Sequence, residues 1–135
     1  MPNIGNLSDT TANAEAAAIS PLFNSGTIQI FSGPQPATAN TALGVSNILL
    51  VTLTFSATAF GAPSAGSITA NAIGGGTAIN TGTATFARIY QSNGTTVVCD
   101  TPVATAGGGI NLTTVSIVSG APVSLAQLIF SVTET

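Results

Sequence analysis

Alternation of apolar and polar side chains is the main pattern of this chain of 135 residues. It is clearest in residues 48–56, where every second residue from Leu49 to Phe55 is large and apolar, with two threonines in between. A period of two is typical of a half-buried β-strand, because successive side chains of a strand point to opposite faces. Glycine, proline and asparagine interrupt the pattern roughly every ten residues, a spacing typical of sandwiches and barrels. We therefore predict an all-β fold, a β-sandwich of jelly-roll type.

Further strand-like runs follow between Thr27 and the C-terminus. Two of them, 83–91 and 95–101, flank Asn93-Gly94, a pair that strongly favours a tight β-hairpin. A last strand is predicted over 125–133. We expect the core to contain the inward-facing members of the clearest strands, which are Leu49, Val51, Leu53, Phe55, Phe86, Val115, Ile117, Leu128, Phe130 and Val132.

The first 26 residues have a different composition. Residues 10–19 are rich in alanine, the best helix former, and Ser8 or Thr10 can cap the start of a helix. Ser20-Pro21 predicts one further short helical turn, with Gly26 as its terminator. We accordingly predict two regions, an N-terminal arm and short helix over 1–26 and a β-sandwich domain over 27–135.

The helical segment places Ile19, Leu22 and Phe23 on one face. A helix this short is marginal in water by itself and needs a surface to pack against. We therefore predict that residues 1–26 pack against a neighbouring protein, with these three side chains as the interaction residues.

Charge is nearly absent, and this removes most kinds of chemistry. The chain has no Lys and no His, and its net charge is −3. A catalytic nucleophile would have no His to act as its base, and a zinc site would have no cluster of Cys or His ligands. A nucleic acid would find only one cationic side chain to neutralise its phosphates. No apolar run is long enough for a membrane span. The five charged residues are Asp9, Glu15, Arg88, Asp100 and Glu134. We therefore expect no enzyme activity and no binding of a cofactor, a metal, nucleic acid or a membrane.

Arg88 and Asp100 are the most informative polar pair, because they lie on opposite arms of one predicted hairpin. A two-residue Asn93-Gly94 turn places Arg88 opposite Cys99, whereas a loop one residue longer places it opposite Asp100. Hydrogen bonding to backbone carbonyls is the other structural role open to Arg88. Cys99, the single cysteine, is predicted to be a small buried apolar residue.

Short stretches of strand and turn sequence follow one another along residues 20–135. They are Gly26 to Pro36, Leu49 to Phe55, Ala59 to Ala62, Ala70 to Ile73, Gly82 to Ala84 leading into Phe86 to Tyr90, and Ile110 to Thr113. In this order they resemble a group of small bacteriophage virion proteins, often encoded beside the major capsid protein. The chain departs from that group in having Pro21 in its helical segment and in its very low charge.

The resemblance implies an accessory structural role on the phage head. We expect a capsid decoration, or cement, protein that binds the outer head surface and stabilises contacts between capsomers. Its expected partners are the major capsid protein and copies of itself, as a homo-oligomer and specifically a trimer. Its expected location is the capsid surface of the virion, after assembly in the bacterial host cytoplasm. A tail, neck or fibre component and a carbohydrate-binding adhesion module remain as alternatives.

Overall fold

The computed structural model describes residues 7–125 and 127–131. Helix α1 and a 3-10 turn come first, and twelve strands, β1 to β12, follow within these residues. The helical bounds are Asp9–Ile19 for α1 and Ser20–Phe23 for the 3-10 turn. In order, the strands are Thr27–Phe31, Leu49–Phe55, Ser67–Thr69, Ile73–Gly74, Gly76–Thr77, Gly82–Thr83, Phe86–Tyr90, Val97–Ala104, Ile110–Asn111, Ser116–Ile117, Pro122–Val123 and Ile129–Ser131.

A curled six-stranded sheet forms the main layer, in the order β4-β2-β1-β7-β8-β9. Its pairs are antiparallel except for β8 with β9, which is parallel. The other strands form short antiparallel pairs, β6 with β10, β5 with β11 and β3 with β12. The predicted mostly-β class with one short helical segment is therefore confirmed. No helix of the described residues is long and apolar enough to cross a membrane.

The sheet is distorted where β1 meets β2. Ile30 pairs with Val51, whereas the next residue, Phe31, pairs with Leu49, so Leu50 is an extra residue in β2. Such a bulge breaks the alternation of faces. Leu50 and Val51 are consequently both buried, and Leu49 is only half-buried. The expectation that Leu49 is a fully inward-facing core residue is wrong for this reason.

Truncation of the two adjacent leucines tests the bulge. We expect Leu50→Ala to lower the free energy of unfolding by at least about 2 kcal/mol, because it leaves a cavity in a fully enclosed site. The same change at the half-buried Leu49 is the matched control and should have a clearly smaller effect. Urea unfolding of both variants measures the difference. Equal losses would mean that the alternation continues through the bulge.

Most of the predicted core residues are buried. The buried ones are Val51, Leu53, Phe55, Phe86, Ile117 and Leu128. Val115 and Phe130 are partly buried and pack against the core, and Val132 lies outside the described residues. The core also contains fully enclosed side chains that the alternation argument did not select, namely Phe23, Ile28, Ile30, Leu50, Ile68 and Ile110.

Helix α1 is a part of this chain's own packing. The Ser8 hydroxyl accepts a hydrogen bond from the Thr11 N–H at 3.2 Å and caps the helix, as predicted. Ala12 and Ala16 are fully buried, and α1 packs beside β3. The Asn13 side chain accepts a hydrogen bond of 2.8 Å from the Gly66 N–H. Small inward side chains and this bond let the helix lie close to the strands.

Phe23 is buried in the chain's own core, with 1% of its surface exposed. Its ring centroid lies 5.6 Å from that of Phe55 and 4.9 Å from that of Phe60, in edge-on contacts. The prediction that Phe23 contacts a neighbouring protein is therefore wrong, because a ring enclosed in this way cannot reach one. Ile19 is partly buried against the same core. Leu22 is the one member of the predicted trio that is exposed, at 40%.

The end of the helical segment also differs from the prediction. The left-handed residue is Ser25, with a φ of 56°, rather than Gly26. Gly26 is required for another reason: a Cβ atom there would overlap the carbonyl oxygen of Tyr90 on β7. Gly26 therefore allows β1 to begin in close contact with its neighbour strand instead of terminating the helix.

Candidate functional site

Arg88 and Asp100 form a buried ion pair in the middle of the main sheet. Arg88 lies on β7 and is directly opposite Asp100 on β8. The Arg88 Nε donates to Asp100 Oδ1 at 2.7 Å and its Nη2 donates to Oδ2 at 2.8 Å, so the pair is bidentate. Both side chains are 4% exposed. The partner of Arg88 is therefore a carboxylate on the neighbouring strand, which is the second of the two registers considered from the sequence.

A bulge in β8, rather than the turn alone, sets this register. The Gln91 N–H donates to the Thr96 carbonyl at 2.9 Å, which closes a loop of four residues. Gly94 takes a left-handed φ of 74° within that loop. Tyr90 then pairs with Val97, but Ile89 pairs with Cys99, so Val98 is the extra residue. This one-residue shift brings Asp100 opposite Arg88.

The ion pair removes the only Lys or Arg side chain from the surface. The hydrogen bond to the Asp100 carboxylate raises the pKa of Arg88 above its usual value. Asp100 neutralises the guanidinium and only 3% of Arg88 is exposed, so an external anion has little access to it. The exposed Asp9 and Glu15 on α1 are acidic, and Glu134 lies outside the described residues. The described surface therefore presents no free cation to a partner.

The remaining reactive side chains do not gather into a catalytic or metal-binding group within the described ranges. No group of three or more His, Cys, Asp or Glu lies close enough there to hold a metal ion. Cys99 is half-buried, and burial raises the pKa of its thiol to about 11, with a smaller contribution from Asp100. A thiol with that pKa is almost entirely neutral at pH 7 and is a poor nucleophile.

Exposed aliphatic side chains are the surface feature best suited to contact another protein. Ile48, Ile79 and Val118 have 44%, 60% and 56% of their surface exposed, and Val45 is fully exposed. We call these four residues the aliphatic end. A single exposed apolar residue is ordinary, whereas several on neighbouring segments indicate an interaction surface.

Hydrogen bonds to backbone carbonyls hold the segments around Ile48, Ile79 and Val118 together. The Ile79 N–H donates to the Leu50 carbonyl at 2.8 Å, which places residue 79 beside the start of β2. The Ser119 hydroxyl donates to the Ile79 carbonyl at 3.3 Å, which brings the Val118 segment to the same place. Ile48 lies directly before β2 and accepts a hydrogen bond of 3.0 Å from the Ser32 N–H. The segments that carry Ile48, Ile79 and Val118 are thus connected, and Val45 lies three residues before Ile48 in the chain.

The sequence pattern does not predict the aliphatic end. It predicts Ile19, Leu22 and Phe23 as interaction residues because these share a helical face, and the structure encloses Phe23. The available signal was an isolated aliphatic residue next to turn-forming or polar neighbours, as in Ile79-Asn80 and Val118-Ser119. An apolar side chain at a turn cannot alternate into a sheet face, so it remains on the surface.

In comparisons with known proteins, no protein-family model, curated protein or solved structure matches this chain.

Proposed function

We propose that this chain is a structural subunit of a bacteriophage head, a capsid decoration or cement protein located on the capsid surface of the virion. The observation that carries the proposal is the aliphatic end, an apolar contact surface on a hydrogen-bonded β scaffold without a free cation among its described residues. Such a role needs adherent surface and rigidity but no reactive group. The net charge of −3 suits the outside of a head better than its DNA-facing interior.

The proposed contacts are with the major capsid protein and with further copies of the chain. Burial of apolar surface drives association of proteins, and the few exposed charges oppose the approach of a second copy only weakly. A trimer is the proposed oligomer. The proposed finer architecture is a jelly-roll sandwich, in which the short strand pairs form the second layer opposite the main sheet.

A carbohydrate-binding module is disfavoured by the burial of its aromatic residues. Sugar sites commonly stack an exposed aromatic ring on the ligand, and the chain has no Trp. Phe23, Phe31, Phe55, Phe60 and Phe86 are all buried, and Tyr90 and Phe130 are half-buried. Tail, neck and fibre components remain the alternative within structural proteins, and copy number separates them from decoration. A decoration protein should be present in virions at a copy number comparable to that of the major capsid protein.

Polar replacement of the aliphatic end tests how the subunit binds. We expect the double change Ile79→Ser and Val118→Ser to weaken binding to capsids of the encoding phage by at least tenfold, because two apolar side chains would no longer be buried on assembly. Thermal unfolding should be nearly unchanged, since both side chains are exposed in the free subunit. Co-sedimentation of the purified variant with capsids measures the loss.

The matched control is Ile129→Ser, since Ile129 is exposed to a similar degree, 50%, but lies on β12, which pairs with β3 and carries no residue of the aliphatic end. If all variants bind capsids equally well, the aliphatic end is not the surface that contacts the capsid. A copy number far below that of the capsid protein would contradict the decoration role itself.

A further inference from the structure

The main sheet leaves a cavity open at one edge of the core. Ile89 on β7 and Cys99 on β8 line one side, and Phe23, Phe60 and Leu128 line the other. The cavity has a volume of about 250 Å³. It continues to the surface beside β12, where Ser131 also contributes to its wall.

The cavity is open because β8 is only partly covered. On its outer side, β8 pairs with β9 solely through Val103 and Ala104. Between Val97 and Thr101, no strand of residues 7–125 and 127–131 pairs with that outer edge. The apolar core is therefore accessible from this edge of the main sheet, which explains how buried rings come to line an open space.

The chemistry of the walls selects an uncharged, apolar occupant. Phe23 and Phe60 are buried rings in edge-on contact, and Ile89 and Leu128 add aliphatic surface. Asp100 also lines the cavity, but Arg88 binds both oxygens of its carboxylate. The Cys99 thiol is neutral at pH 7 because burial raises its pKa to about 11. No free charge among the described lining residues would attract an ion.

We propose that this cavity binds a small, uncharged molecule built around an aromatic or aliphatic ring. The volume lies just below the range of typical ligand pockets, about 300–1,000 Å³, so the occupant is small, with about ten non-hydrogen atoms. Smaller apolar cavities, of about 150 Å³, stay dry in proteins and take up benzene. This binding site is separate from the proposed contact with the capsid and does not depend on it.

Indole is a suitable probe because the chain has no Trp, so the fluorescence of added indole can be followed directly. We expect saturable binding with a dissociation constant on the order of 1 mM or tighter, from the usual affinity per ligand atom. The anionic analogue indole-3-acetate should bind at least tenfold more weakly. Indole should also slow the alkylation of Cys99 by iodoacetamide several-fold, and as Cys99 is the only cysteine this locates the site.

Variants that fill the cavity provide the second test. Cys99→Met and Leu128→Phe each place extra atoms into the space and should weaken indole binding at least fivefold. The control Ile79→Met changes an exposed residue of the aliphatic end and should bind indole like the unmodified protein. Two filling variants are used so that failure of one to fold still leaves a test.

Three results would overturn the proposal. They are the absence of saturable indole binding, undiminished binding by folded variants with a filled cavity, and protection of Cys99 that grows with protein concentration in the absence of indole. The last result would mean that a second copy of the chain covers the cavity.

Discussion

Replacing Arg88 by methionine is expected to lower the free energy of unfolding by about 3–5 kcal/mol. The reason is the carboxylate that stays behind. Asp100 is enclosed with Arg88, and its two oxygens accept the hydrogen bonds of the guanidinium. Without that partner, a buried charge must either remain unpaired or take up a proton, and both destabilise the fold. Urea or guanidinium unfolding, followed by circular dichroism, measures the loss.

The double variant Arg88→Met and Asp100→Leu tests whether the loss comes from the unpaired Asp100 carboxylate or from the absence of the ion pair itself. A buried ion pair can often be replaced by apolar residues of similar volume at little cost in stability. We therefore expect the double variant to regain most of the stability that the single variant loses. If Arg88→Met alone costs less than about 1 kcal/mol, water reaches Asp100 and the pair is not enclosed in solution.

Truncation of Phe23 to alanine should also cost about 3–5 kcal/mol, the usual range for a fully buried phenylalanine. The ring packs edge-on against Phe55 and Phe60 within the core. Leu22→Ala is the matched control, because Leu22 is the adjacent residue and is 40% exposed. It should cost less than about 1 kcal/mol. Thermal and denaturant unfolding of both variants gives the comparison.

This pair of variants also decides the role of the N-terminal segment. A large loss for Phe23→Ala with a small loss for Leu22→Ala means that the segment completes the core of its own chain. Similar small losses would restore the view that the segment packs against a neighbouring protein and only rests on the strands.

The sequence predicts the strands well because their alternation is local. Val51, Leu53 and Phe55 follow one another at a spacing of two, and the backbone of a strand turns that spacing into one face. The hairpin is similar, since Asn93-Gly94 favours a reversal of the chain by its own conformational preference. These features need no knowledge of distant residues.

The two bulges could not be predicted in the same way, because a bulge is a relation between two strands. Leu50 enters the core only because β1 advances by one residue fewer than β2 at that point. Val98 shifts the register by the same means and so places Asp100, not Cys99, opposite Arg88. A single strand read by itself contains neither shift.

Phe23 was misplaced for a physical reason of another kind. The change in composition at Gly26 separates a helical segment from a strand region, and it suggests separate packing. In the structure, however, the rings of Phe55, Phe60 and Phe130 from the strand region pack around Phe23 and enclose it in the core. Amino-acid composition indicates the local helix or strand propensity of a segment. It does not indicate which side chain fills a given space in the folded core.

The burial of the sole Arg has a consequence for proteolysis. Trypsin cleaves after Lys or Arg, and this chain offers it a single peptide bond, between Arg88 and Ile89. That bond lies in β7, between β1 and β8, with Arg88 only 3% exposed. No fraying of a terminus or loop can expose it, because the strand must separate from both neighbours before a protease can bind it. Trypsin therefore reports opening of the central sheet alone. When trypsin is concentrated enough that cleavage is faster than reclosing, the rate at which two fragments appear measures how often the folded subunit opens at its centre.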